Sequence, residues 1–292
     1  MPIRSLLKPL HGRGLRWPAL RLLRQFIPAS PHPGRELDVY WLSTGRCGTH
    51  FVDRVLQTDS SGHSLHEGGA YLPDVYRASA IWKDDPEAFW RLRLEDFAGA
   101  HAVVQENSRI PARVFNSFSN AMYPFGYMLH EAYERLGLGR RVKTIHLVRE
   151  PVASCRSNLK VEREEAGGIA FARRAPAFVT GDSSAAKTAS VWNCVNALCA
   201  DTVDRIGDAS KAITLRVEDL TIDRAEEIFD FCELRGFDRD RVEELLNNRS
   251  SSVRHSHVAR GDLETVDATD EELEIIREQT APLAARLGYP TV

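Results

Sequence analysis

Residues 44–50 read Thr44-Gly45-Arg46-Cys47-Gly48-Thr49-His50, small residues around one cation. The loop follows an apolar run of strand character, Asp38–Ser43, and precedes a helical stripe formed by Phe51, Val52, Val55 and Leu56. A strand, a small-residue loop and a helix start gather backbone N–H groups around one point, where the helix dipole favours an anion. Gly45 and Gly48 allow close approach of the backbone, Thr49 adds a hydroxyl and Arg46 a full charge. This chemistry holds phosphate; the plainer reading is a tight strand-to-helix turn. The loop lacks the G-x-x-x-x-G-K-[ST] order of a Walker A motif, and no strand ends in a clear metal-binding Asp. A nucleotide bound without Mg²⁺ suits it better than ATP does.

A second cation stands at a similar place. The strand-like Lys143–Val148 ends at Arg149-Glu150-Pro151, with Ser154, Ser157 and Asn158 beyond. Proline at the first helical position starts a helix cleanly. Arg149 is then a charge at a strand's carboxyl end, with Ser157 eight residues on, about two helical turns. It calls for an anionic ligand or for a carboxylate such as Glu150.

The elements that must position these groups alternate. Strands are expected over Asp38–Ser43, Ala102–Gln105, Thr144–Val148 and Ala212–Val217, and helices over Phe51–Leu56, Pro151–Val161, Val191–Ile206 and Ala225–Leu234. This order implies an α/β domain, a parallel sheet with helices on both faces and ligands at the strands' carboxyl ends. The turn-rich Pro28–Gly34 divides a basic extension and linker, residues 1–36, from one domain over 37–292.

The chain has 292 residues, 43% hydrophobic and 27% charged, with a net charge of −3. Residues 1–35 hold Arg4, Lys8, Arg13, Arg16, Arg21, Arg24 and Arg35 and no acid, so the rest is distinctly acidic. An acidic core without basic-aromatic interleaving argues against nucleic-acid binding. The segment Leu15–Ile27 reads first as a solvated helix packed on its own domain; the alternative is peripheral contact with a membrane surface or an acidic partner. No run is long enough to span a membrane. Five cysteines without a C-x-x-C pair suggest reduced thiols, a cytoplasmic address and no metal site.

Together the two loops resemble the PAPS-dependent sulfotransferase family, which uses 3′-phosphoadenosine 5′-phosphosulfate. Arg46-Cys47-Gly48-Thr49-His50-Phe51 is similar to its 5′-phosphosulfate loop, a basic residue and Ser-Gly-Thr before a small or aromatic pair. Arg149, Pro151 and Ser157 match its 3′-phosphate spacing. Leu215–Leu220 looks like the family's Arg-Tyr-Glu-Asp-Leu strand end, and Trp192 and Asn196 fall where it often carries Trp and Asn. Arg286–Tyr289 is similar to the end of many bacterial members. Cys47 stands where Ser is usual, and Arg46 is closer to the tyrosylprotein and bacterial enzymes than to the cytosolic ones.

The resemblance implies a P-loop NTPase-like fold and sulfuryl transfer from PAPS to a hydroxyl or amine of an unidentified acceptor, without a metal. It implies that Gly45, Arg46, Cys47, Gly48, Thr49, His50 and Phe51 serve the 5′ end of the donor, and Arg149 and Ser157 its 3′-phosphate. Phe51 stands where the family stacks an aromatic near adenine; core packing is its other reading. Arg46 would also neutralise charge on the leaving phosphate.

A general base must take the acceptor's proton. Glu67, in Ser64-Leu65-His66-Glu67-Gly68-Gly69, resembles the catalytic Glu of tyrosylprotein and heparan-type enzymes in placement; the segment is expected to be a glycine-flanked loop. His66 is the rival, with a pKa naturally near neutrality, and Glu106 the third candidate. Arg254, His255, His257 and Arg260 fall in a polar stretch placed like the family's donor-covering loop, without its motif. Glu162–Lys187 is expected to be an acceptor lid or insertion. The rival functions are a P-loop-fold kinase or NTPase and a catalytically inactive nucleotide-binding module.

Overall fold

The computed structural model describes residues 36–66, 114–118, 126, 130, 133, 141–164, 179–248 and 268–290. The basic extension, the expected strand Ala102–Gln105, Glu67, Glu106 and the stretch 250–261 lie outside the described residues.

Among the described residues, five strands form one parallel sheet: β1 (Leu37–Leu42), β2 (Gly62–His66), β3 (Val114–Phe118), β4 (Arg141–Val148) and β5 (Ala212–Arg216), in the order β2-β3-β1-β4-β5. The central β1 is buried along its whole length, which is why Leu37-Asp-Val-Tyr-Trp-Leu42 reads as a nearly continuous apolar run. From β1 the chain first builds toward β2 and β3 on one side, then crosses to β4 and β5 on the other. The reversal at β1 is the kind of switch point where open α/β sheets bind ligands.

The helices among the described residues are α1 (Thr49–Leu56), α2 (Pro151–Glu164), α3 (Ser184–Ile206), α4 (Ile222–Phe231), α5 (Arg239–Asn247) and α6 (Asp270–Arg286). On one face, Val39, Trp41, Phe118, Ile145 and Leu215 pack with Phe51, Val55 and Leu56 of α1, Phe229 of α4 and Val242 of α5. Trp41 stacks on Phe118 with ring centroids 4.6 Å apart. A second core joins Val148, Cys155 and Leu159 to Trp192 of α3 and to Ile276 and Ala284 of α6. Side-chain caps define the later starts: Ser183 accepts from Ala186 N–H before α3, and Thr269 and Glu272 form a reciprocal box at α6.

The sheet face opposite α1 carries a polar group inside the fold. Tyr133 donates to the buried Asp38 carboxylate at 2.9 Å, and its hydroxyl also bonds that of Tyr40. Buried His146 donates from Nε2 to Asn196 Oδ1 at 3.1 Å, and Nδ1 accepts from Thr214 Oγ1 at 3.4 Å. Burial holds that imidazole neutral, its pKa lowered to about 4.

Three expectations need correction. Ser64–His66 is not loop but the end of edge strand β2, with His66 paired to Phe118. The insertion is shorter at both ends than Glu162–Lys187, because α2 runs to Glu164 and α3 begins at Ser184. Helix α3 itself starts seven residues before Val191, on a stretch of small residues that propensity alone leaves open.

Candidate functional site

The loop after β1 departs sharply from ordinary backbone geometry. Gly45 has φ 78°, Arg46 φ 57° and Gly48 φ 83°, all left-handed. That conformation suits glycine, and it costs a residue with a side chain about 1–2 kcal/mol. Arg46 therefore holds a strained backbone, of the kind that concentrates at functional sites. A Cβ on Gly48 would come 3.0 Å from Val217 Cγ2, so space as well as φ requires glycine there. Gly48 is the N-cap of α1 and supplies no side-chain cap, and the first turn contains no acidic residue. Its carbonyl accepts from Phe51 N–H at 2.9 Å and Val52 N–H at 3.1 Å, which locks the helix start beneath the loop.

Arg149 follows β4, the neighbour of β1, so its place is beside this loop. Its Nη1 donates to the carbonyl of Arg46 at 3.1 Å, and Arg46 Nε donates to Ser157 Oγ at 3.0 Å. Thus Arg46 forms one hydrogen-bonded group with Arg149 and Ser157, each more than a hundred residues further along the chain. The Arg149 carbonyl is held by the indole N–H of Trp192 at 3.2 Å. Arg149 is half-buried, and no carboxylate pairs with it among the described residues. Its neighbour Glu150 caps α2 instead, accepting from Val152 N–H at 2.9 Å and Ala153 N–H at 2.6 Å. A partly desolvated guanidinium that bonds a carbonyl, with no carboxylate among the described residues, can take an anion.

The remaining loop residues divide between surface and core. His50 is exposed and Thr49 largely buried. Cys47 is fully buried in the apolar core, where burial pushes its thiol up to about 11, so the loop can offer a ligand only its backbone at this position. Phe51 packs in the same core. All five cysteines are free thiols. His66 ends β2, two strand spacings or about 10 Å from β1. Glu67 lies outside the described residues.

Sequence reasoning did not assign roles to Glu218 and Tyr289, although both fall in segments it singled out. Glu218 lies in the 3-10 turn Val217–Asp219 at the end of β5. It accepts the Glu150 backbone N–H at 3.0 Å and the Tyr289 hydroxyl at 3.0 Å. Arg216 grips Asp219 through Nε (2.6 Å) and Nη2 (2.9 Å), donates to the Gly288 carbonyl, and lies 5.3 Å from the Tyr289 ring centroid. No spacing rule joins residues so far apart in the chain.

Among solved structures, the sulfotransferase domain from the curacin biosynthetic pathway superposes with a TM-score of 0.50 at 18% identity, covering 87% of this chain and 98% of that one. The sulfotransferase domain of the Synechococcus PCC 7002 olefin synthase gives 0.47 at 18% identity, covering 88% and 96%. The sulfotransferase from Alicyclobacillus acidocaldarius gives 0.44 at 13%, covering 85% and 93%. No protein-family model and no curated relative matches the chain. The likeness to the curacin domain establishes a shared fold: a parallel sheet flanked by helices, of the P-loop-like kind found in sulfotransferases.

Proposed function

We propose that the protein is a sulfotransferase using PAPS as donor and a hydroxyl or amine as acceptor. The observation that carries this reading is the Arg149–Arg46–Ser157 group, which joins the loop after β1 to the start of α2 at the sheet's switch point. A donor with phosphates at both its 5′ and 3′ positions needs two anion sites in one cleft. A phosphate loop without the Walker lysine also fits a Mg²⁺-free donor.

Transfer is an in-line displacement at sulfur. The acceptor oxygen or nitrogen forms the new bond to sulfur as the bond to the bridging phosphate oxygen breaks. The electron pair stays on that oxygen, so negative charge builds on the departing adenosine 3′,5′-bisphosphate. Arg46, the α1 N-terminus and the backbone of residues 45–49 neutralise that charge, and Arg149 and Ser157 hold the 3′-phosphate. Glu67 takes the acceptor's proton, with His66 as the alternative.

Calorimetry with adenosine 3′,5′-bisphosphate in EDTA, followed by ³⁵S-labelled PAPS with fractionated cell extract, tests the reading. Saturable Mg²⁺-independent binding and a labelled product are expected. Binding only of ATP with Mg²⁺ would favour the kinase reading, and binding without transfer to any fraction would favour an inactive module.

A further inference from the structure

Glu218 stands at the carboxyl end of β5, beside the strand that delivers Arg149, yet its oxygens are directed at protein. One accepts the backbone N–H of Glu150 at 3.0 Å, and the other accepts the Tyr289 hydroxyl at 3.0 Å. Glu150 is the single residue between Arg149 and Pro151, the first residue of α2, and its own carboxylate caps that helix. Whatever fixes the Glu150 peptide therefore fixes the bend between the Arg149 guanidinium and the helix carrying Ser157.

Tyr289 is itself held. It is largely buried in the α2–α3–α6 core, Arg216 packs over its ring, and the Gly288 carbonyl accepts from Arg216. Burial and the Glu218 carboxylate raise the phenol's pKa, so it stays a donor across the physiological range.

We infer that Glu218 is a positioning residue for the Arg149–Ser157 anion site, and that Tyr289 sets its orientation through the residues following α6. This rests on the sulfotransferase reading only in the choice of ligand. Glu218 need not touch that ligand; it holds the turn that presents it with two donors.

The test is bisphosphate affinity by calorimetry, with thermal midpoints measured alongside. Native protein must bind; if it does not, the donor assignment fails and takes this inference with it. Given native binding, Glu218→Ala should weaken affinity about 5–20-fold, the loss of one hydrogen bond that sets geometry. Glu218→Gln should return it to within about 2-fold, because an amide oxygen still accepts the Glu150 N–H. A merely structural side chain would lower the midpoint without this split between Ala and Gln. Native-like affinity in the Ala variant, or a Gln variant as weak as Ala, overturns the inference while leaving the donor assignment intact. Should Glu218→Ala not fold, Tyr289→Phe decides. A weakening of about 2–5-fold supports the positioning chain, and unchanged affinity refutes it.

Discussion

Arg46 Nε donates to Ser157 Oγ at 3.0 Å, so a residue of the loop after β1 and a residue of the helix after β4 touch directly. Arg149, donating to the Arg46 carbonyl, closes the group from the other side. On the proposed reading, a bisphosphate would exchange these protein–protein hydrogen bonds for charge-assisted ones.

Arg149 should dominate donor affinity. Arg149→Ala is expected to cost about 2–4 kcal/mol in calorimetry with adenosine 3′,5′-bisphosphate. Unchanged affinity would place the 3′-phosphate elsewhere.

The base should show the opposite profile. Glu67→Gln keeps volume and removes basicity, so single-turnover transfer at saturating PAPS should fall about 10²–10⁴-fold with bisphosphate affinity little altered. His66→Ala should be milder. A dead His66→Ala beside a normal Glu67→Gln exchanges the two roles, and normal rates for both with a dead Glu106→Gln move the base to Glu106.

Cys47 should be inert despite its place in the loop. Raised to about 11 and fully buried, it carries on the order of one thiolate per thousand at pH 8. Iodoacetamide on native protein, read by peptide mass spectrometry, should modify the partly exposed Cys194 well before Cys47. Early labelling of Cys47 would mean that the thiol faces the ligand space.

His146 should give the fold an acid-sensitive component. Its folded pKa of about 4 lies below the ordinary 6.5, so the unfolded chain takes up the extra proton between those values. The contribution is complete above about pH 6.5 and is lost as pH falls toward 4, on the order of 3 kcal/mol. Urea denaturation of native protein and His146→Gln across pH 4–7 should show a shallower pH dependence in the variant. Parallel curves would assign acid sensitivity to other groups.

The loop after β1 and its flanking elements were legible in the sequence because β1 is buried on both faces and Gly45 and Gly48 punctuate its end. Arg149 and Ser157 were legible because Pro151 marks a helix start. Strands β2 and β3 were not: Gly62-His-Ser-Leu-His66 and Val114-Phe-Asn-Ser-Phe118 are short, and Ser64 and Asn116 are polar residues that the fold buries. Tertiary pairing overrides weak local preference there. Helix α6 likewise hides behind its internal Pro282. The direction of the Cys47 side chain had no signal at all, since neither helical nor strand period applies to a loop running through left-handed backbone.

The bond between Glu218 and Tyr289 also fixes an order of events in the making of the protein. Tyr289 leaves the ribosome after the five described strands and after both Arg46 and Arg149. Chains emerge amino end first, at about 5–20 residues per second. The sheet can pair while α6 is still being translated, but the clasp at the end of β5 must wait for the residues that follow that helix. A ribosome stalled before residue 289 should therefore display a paired sheet with a slack Arg149 turn, distinguishable from the finished chain by faster amide exchange at Glu150.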